Sequence, residues 1–210
     1  MIILFDFLNI KTPDFTGDIK SDVKNWFYLN NDPVDYKPKT FEHSKAVADK
    51  NIEIAKQYGL DINICELCGY LHDISGIMPY GDMMKYAVEN DWHLGEAEKR
   101  FPMLLHQRIS KVFAGQYFNI ADERVLAAVE CHSTLKASPS GYDMALFIAD
   151  KLAWDQEAEA PFYNIVNGAL KKSLEAASLA YMDYIVENKM ILYPHKWFEE
   201  GRVFLRGLNK

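Results

Sequence analysis

Apolar positions recur at helical spacing along most of the chain. Ile19, Val23, Trp26 and Phe27 stand at i, i+4, i+7 and i+8, one face of a helix that Asn30-Asn31-Asp32-Pro33 ends. A second helix is predicted from Thr40 or Phe41 to Gly59, with Val47, Ile54, Ala55 and Tyr58 on its buried side. Asp61 caps a third, whose stripe is Ile64, Leu67, Cys68 and Leu71. Gly81-Asp82 opens a fourth through Asn90, and a short helix is predicted over Trp92–Arg100. Pro102 suits the first turn of the next, in which Ile109 and Phe113 share a face. Asp122 caps a helix with Val125, Ala128 and Val129 inward, and Pro139-Ser140-Gly141 precedes a helix over about 141–154. Leu170, Leu174, Ala177, Tyr181 and Ile185 read as one long stripe. A terminal helix with Trp197, Phe198 and Leu205 follows Tyr193-Pro194.

No Asn-Gly hairpin signal, Gly-rich phosphate loop or internal repeat interrupts this pattern. It predicts an all-α orthogonal helical bundle. Residues 1–16 fit either an extended segment or a short helix, and residues 32–39 read as a loop with two prolines. The chain thus divides into an N-terminal extension, 1–39, packed on a main domain, 40–210.

Composition narrows the function. Of 210 residues, 49% are hydrophobic and 25% charged, enough apolar surface for a sizeable core. A formal charge of -7 argues against a nucleic-acid backbone or an anionic membrane as the main partner. No stretch approaches the ~18 apolar residues of a membrane span. Met1 to Leu8 is apolar, but it has no basic flank and Asp6 interrupts it, so it does not read as a signal peptide. Cys65, Cys68 and Cys131 are an odd set, which points to a reducing cytoplasm rather than a disulfide framework. Cys65-x-x-Cys68 falls inside a predicted helix and reads as buried structure.

The chemistry gathers at six residues. His72-Asp73 follows the apolar run Leu67 to Leu71, with His43 upstream and His106, His132 and Asp150 downstream. Each histidine sits on or beside the apolar stripe of its own helix. One such histidine is ordinarily a satisfied core residue. Four inward imidazoles with two carboxylates would be costly to bury unpaired, and a shared metal removes that cost. Six ligands exceed a single structural zinc and suit two ions. Asp73 is the natural bridge between them, positioning the hydroxide. His43, His72 and Asp150 would complete one site, and His106 and His132 would hold the other. Such a pair can clamp a phosphoryl group and supply a metal-bound hydroxide for in-line attack. Mixed imidazole and carboxylate ligation favours iron, manganese or zinc over magnesium.

The order H…HD…H…H…D resembles the HD superfamily of metal-dependent phosphohydrolases, above all its YqeK-like branch. Those bacterial enzymes cut diadenosine tetraphosphate symmetrically into two ADP and bind iron. The resemblance runs from about Glu42 to Arg206. It includes Ala55 to Tyr58 with Gly59, Gly69-x-Leu71-His72-Asp73, Leu104-Leu105-His106, His132-Ser133-Thr134 and Phe147-Ile148-Ala149-Asp150. It implies an HD-domain-like bundle, one or two divalent ions with iron foremost, and a homodimer. Departures lie at Thr40 (usually Arg), Gln107 and Leu135 (usually Gly), and Ala153-Trp154-Asp155-Gln156 (usually Glu-Pro-x-Arg). They fall where substrate would be read, so the metals and the reaction class carry over, while diadenosine tetraphosphate is expected to be a poorer substrate here than for typical relatives.

Arg108, Lys136 and Lys151 stand near ligands in sequence and are candidates to bind substrate phosphate. His93 and His195 have no motif around them, and Trp92 and Trp154 read as packing. The chain is therefore read as a cytoplasmic phosphohydrolase acting on a nucleotide or another phosphorylated small molecule, including a dinucleoside polyphosphate. The rival is a non-catalytic nucleotide or metal sensor that keeps the same fold.

Overall fold

A computed structural model of the chain describes residues 10–30, 38–154 and 160–208. Most of the reading for 1–16, part of the loop 32–39, and Asp155 and Gln156 lie outside the described residues. Among those described there is no strand. The helices are α1 (Ile19–Asn30), α2 (Pro38–Tyr58), α3 (Ile62–Leu71), α4 (Tyr80–Glu89), α5 (Glu96–Arg100) and α6 (His106–Gln116). There follow α7 (Glu123–Cys131), α8 (Gly141–Leu152), α9 (Tyr163–Leu170), α10 (Leu174–Glu187) and α11 (Lys196–Leu208). Short 3₁₀ turns, Ile74–Ile77 and Pro102–Leu105, follow α3 and precede α6.

The caps are those the side chains dictate. Asp61 accepts the N–H groups of Asn63 and Ile64 at the start of α3, and Asp122 accepts that of Arg124 at α7. Ser140 and Asp143 form a capping box at α8. Two expectations change. The helix expected over Trp92–Arg100 begins only at Glu96, because Asp91 takes φ +52° and Gly95 serves as the N-cap. The stripe from Leu170 to Ile185 is two helices, because Ser173 turns extended and caps α10 through Ala176 N–H.

The centre of the bundle is α2, α3, α7 and α8. Gly69 lets α2 and α3 touch: a Cβ there would lie 2.3 Å from Ala48 Cα. Asn51 Nδ2 donates to Cys65 O across the same contact, at 2.8 Å. α1 is part of this core, with Val23, Trp26 and Phe27 fully buried. The Trp26 indole N–H donates to Ile74 O at 2.8 Å, so α1 holds the turn that follows Asp73. All three cysteines are buried and free, and burial pushes the Cys65 thiol up to about 12. No described helix is long and apolar enough to cross a membrane.

Candidate metal centre

Six side chains from five stretches of chain meet at one end of this core. His43 comes from the second turn of α2, and His72-Asp73 from the C-terminal end of α3. His106 opens α6, His132 closes α7, and Asp150 lies in the last turn of α8. His43 Nε2 is 3.2 Å from Asp150 Oδ1, and His72 Nε2 is 3.8 Å from the same oxygen. Asp73 faces both halves. Its Oδ2 is 3.4 Å from His72 Nε2, and its Oδ1 is 3.4 Å from His106 Nε2 and 3.5 Å from His132 Nε2.

Helix geometry sets the ring orientations. His72 Nδ1–H donates to Gly69 O at 2.7 Å, His132 Nδ1–H to Val129 O at 2.9 Å, and His106 Nδ1–H to Met103 O. Each acceptor is the carbonyl three residues earlier, and a carbonyl can only accept. The proton of each neutral ring is therefore on Nδ1, and the Nε2 lone pair points into the site. His106 Nε2 and His132 Nε2 consequently face each other at 3.0 Å. A proton on one ring or a cation between them relieves that repulsion.

The electrostatics favour positive charge here. Burial opposes ionisation of Asp73, but His72, His132 and His106 outweigh it and hold the carboxyl well below its usual range. Asp150 is likewise held low against burial, chiefly by Lys151 and then His43. Burial depresses His72, yet Asp73 and Asp150 lift it to about 9. His132 goes the other way, to about 4, because burial and the neighbouring imidazoles outweigh Asp73. His72 Nε2 and Asp73 Oδ1 are buried with no hydrogen-bond partner. Two groups of side chains, His43–His72–Asp150 and His72–Asp73–His132, have the spacing to hold a metal ion. Imidazole and carboxylate donors fit a divalent transition metal, and His106 lies beside the second group.

Supporting contacts lock the ends of these helices. Ser75 Oγ donates to His106 O at 2.9 Å, and Ser110 Oγ donates to Ser75 Oγ at 2.9 Å. The turn after Asp73 is thereby tied to the start of α6. Ser133 Oγ lies 3.1 Å from His106 Nε2. Ser133 was not singled out as a site residue from the sequence, although it adjoins His132; its hydroxyl is the signal that marks it.

The three candidate substrate cations fall in different places. Lys151 is at the centre: Nζ contacts Asp150, reaches His132 O at 3.3 Å, and lies 5.8 Å from the centroid of the Tyr181 ring. Arg108 instead pairs with Glu98 at 3.0 Å and stacks 4.2 Å over Trp92. Lys136 pairs with buried Asp143 at 3.2 Å. His195 is buried; its Nδ1 accepts Trp197 N–H and caps α11. Trp154 packs edge-on against Phe162.

The family model of the HD domain matches residues 40–155, more than half the chain. The chain belongs to the HD-domain family. An uncharacterised protein from the pepC 5′ region of Lactococcus lactis subsp. cremoris is 37% identical over 136 residues, 65% of this chain and 69% of that one. A Staphylococcus aureus protein named symmetrical bis(5′-nucleosyl)-tetraphosphatase is 30% identical over 113 residues, 53% of this chain and 57% of that one. A Halalkalibacterium halodurans protein of the same name is 24% identical over 160 residues, 73% and 83% of the two chains. A crystal structure from Clostridium acetobutylicum, described as a predicted HD superfamily hydrolase involved in NAD metabolism, has the same all-α fold. Its TM-score is 0.75 at 22% identity, over 94% of this chain and all of that one.

Proposed function

We propose that this HD-domain protein is a metal-dependent phosphohydrolase that cleaves a phosphoanhydride or phosphoester of a nucleotide. The observation that carries the reading is the orientation of three imidazoles. Backbone carbonyls take their Nδ1–H groups, which aims three Nε2 atoms at Asp73. A divalent metal held there would supply positive charge to the phosphoryl oxygens and lower the pKa of a bound water. His43, His72, Asp73, His106, His132 and Asp150 are its proposed ligands, in two positions that share Asp73. Iron is the leading candidate, with manganese or zinc next.

The chain's own residues do the rest. Asp73 and Asp150 stay ionised, as ligation requires. Lys151 is fixed beside Asp150 and offers its ammonium to a substrate phosphate oxygen, a charge-assisted contact. Ser133 Oγ is near enough to His106 to donate a hydrogen bond to a water or phosphoryl oxygen at that position. Arg108 and Lys136 stay in the proposal only as cations that would have to leave Glu98 and Asp143 to reach a substrate. Relatives named symmetrical bis(5′-nucleosyl)-tetraphosphatase make a dinucleoside polyphosphate a leading test substrate. Elemental analysis of protein purified without chelator tests the proposal. One or two equivalents of iron, manganese or zinc per chain are expected; fully active metal-free protein would refute it.

A further inference from the structure

Gln107 is fully buried in a place where its amide joins the two histidine-bearing helix ends. It directly follows His106 at the start of α6. Its Oε1 accepts Ser133 N–H at 3.1 Å, and its Nε2 donates to Thr134 Oγ1 at 3.0 Å. Ser133 and Thr134 directly follow His132 at the end of α7. One side chain therefore clamps the residue after one imidazole to the two residues after the other. Thr134 is itself buried, 3% exposed, so the Gln107–Thr134 bond is closed to water, while Ser133 is half-buried. The rings so joined are His106 and His132, whose Nε2 atoms stand 3.0 Å apart. The same clamp places Ser133, whose Oγ lies 3.1 Å from His106 Nε2.

Each ring is already oriented by its own backbone carbonyl. Those bonds are local, within His106's turn or within α7, and they do not set the distance from one ring to the other. That distance depends on how the start of α6 sits against the residues that leave α7. A buried amide with both its oxygen and its nitrogen engaged is suited to fix it, because slippage would leave polar atoms unpaired away from water.

We propose that Gln107 is a positioning residue: through Ser133 and Thr134 it sets the spacing of His106 and His132, and with it the affinity of the metal position those rings form. This rests on the two-position reading of the site given above. Outer contacts of this kind are commonly worth 10–100-fold in metal affinity.

Titration of the full chain with Co²⁺, followed by its visible absorption, tests the inference in wild type, Gln107→Ala, Thr134→Val and Thr134→Ser, with thermal melts alongside. Wild type is expected to take two equivalents. Gln107→Ala and Thr134→Val are expected to bind the first equivalent as wild type does and the second about 10-fold or more weakly. Thr134→Ser, which keeps the hydroxyl, is expected to restore the second. Two equivalents of wild-type affinity in Gln107→Ala and Thr134→Val would overturn this inference alone. So would equal weakening of both equivalents with a large fall in Tm, which is the mark of a merely structural role. A wild type that takes one equivalent would overturn the two-position reading, and the inference with it.

Discussion

Asp73 sits among three imidazoles, those of His72, His106 and His132. One carboxylate oxygen faces His72 and the other faces His106 and His132. A methyl group at this position can do neither, whereas the surrounding helices are held by apolar packing. Asp73→Ala is therefore expected to lose kcat/KM by on the order of 10²-fold or more, together with bound metal, while its far-ultraviolet circular dichroism stays native. Wild-type turnover in that variant would remove Asp73 from the mechanism. The six candidate ligands were legible in the sequence because each histidine continued an apolar stripe. The departures at 107 and 135 were legible only as differences. Gln107 and Leu135 are fully buried, so neither lies where a substrate would touch it. Leu135 takes φ +52°, a left-handed conformation that explains why glycine serves at this position in the resembling family. Periodicity carries no sign of such a backbone turn.

Among the elements, the α2–α3 crossing matters most, since it brings His43 toward His72. The two ring centroids are 5.2 Å apart. Gly69 permits that approach, and its carbonyl also orients His72. Gly69→Ala would force its Cβ into the Ala48 backbone. A loss of about 1–3 kcal/mol in stability is expected, read as a lower Tm; an unchanged Tm would show that the helices can part freely. Glu98 ties α5 to α6 through Arg108 and lies near the cap of α11. Burial raises the pKa of its carboxyl. Contacts with His195, Gly95 N–H and Arg108 outweigh this and bring it from 4.5 to about 2. A carboxyl depressed on folding stabilises fully above its unfolded value and loses that contribution as pH falls from about 4.5 toward 2. The stability difference between wild type and Glu98→Gln, measured by urea denaturation, should be large at pH 6 and shrink steadily below pH 4.5. A difference independent of pH would contradict it. The helix pattern showed most of these elements but not the break at Ser173, where apolar residues on both sides kept the same phase.

At the scale of the whole molecule, a net charge of -7 surrounds a centre that attracts cations. Asp73 and Asp150 are ionised there, and Lys151 is the candidate substrate cation the fold keeps beside them. The all-α class followed from periodicity alone. The placement of Arg108 and Lys136 did not, because nearness in sequence to a ligand does not fix direction on a helix. Arg108 is two residues past His106, on roughly the opposite side of α6. These six residues are proposed to make a hydrolytic metal centre rather than a binding site. The most direct measurement is release of nucleoside phosphates from a panel containing diadenosine tetraphosphate, shorter nucleotides and simple phosphoesters. It should be run on protein of known metal content, before and after chelation and after metal is restored. Turnover of at least one member, abolished by the chelator and recovered with iron or manganese, is the predicted result. No turnover across the panel by fully metal-loaded protein, or turnover indifferent to chelation, would contradict it.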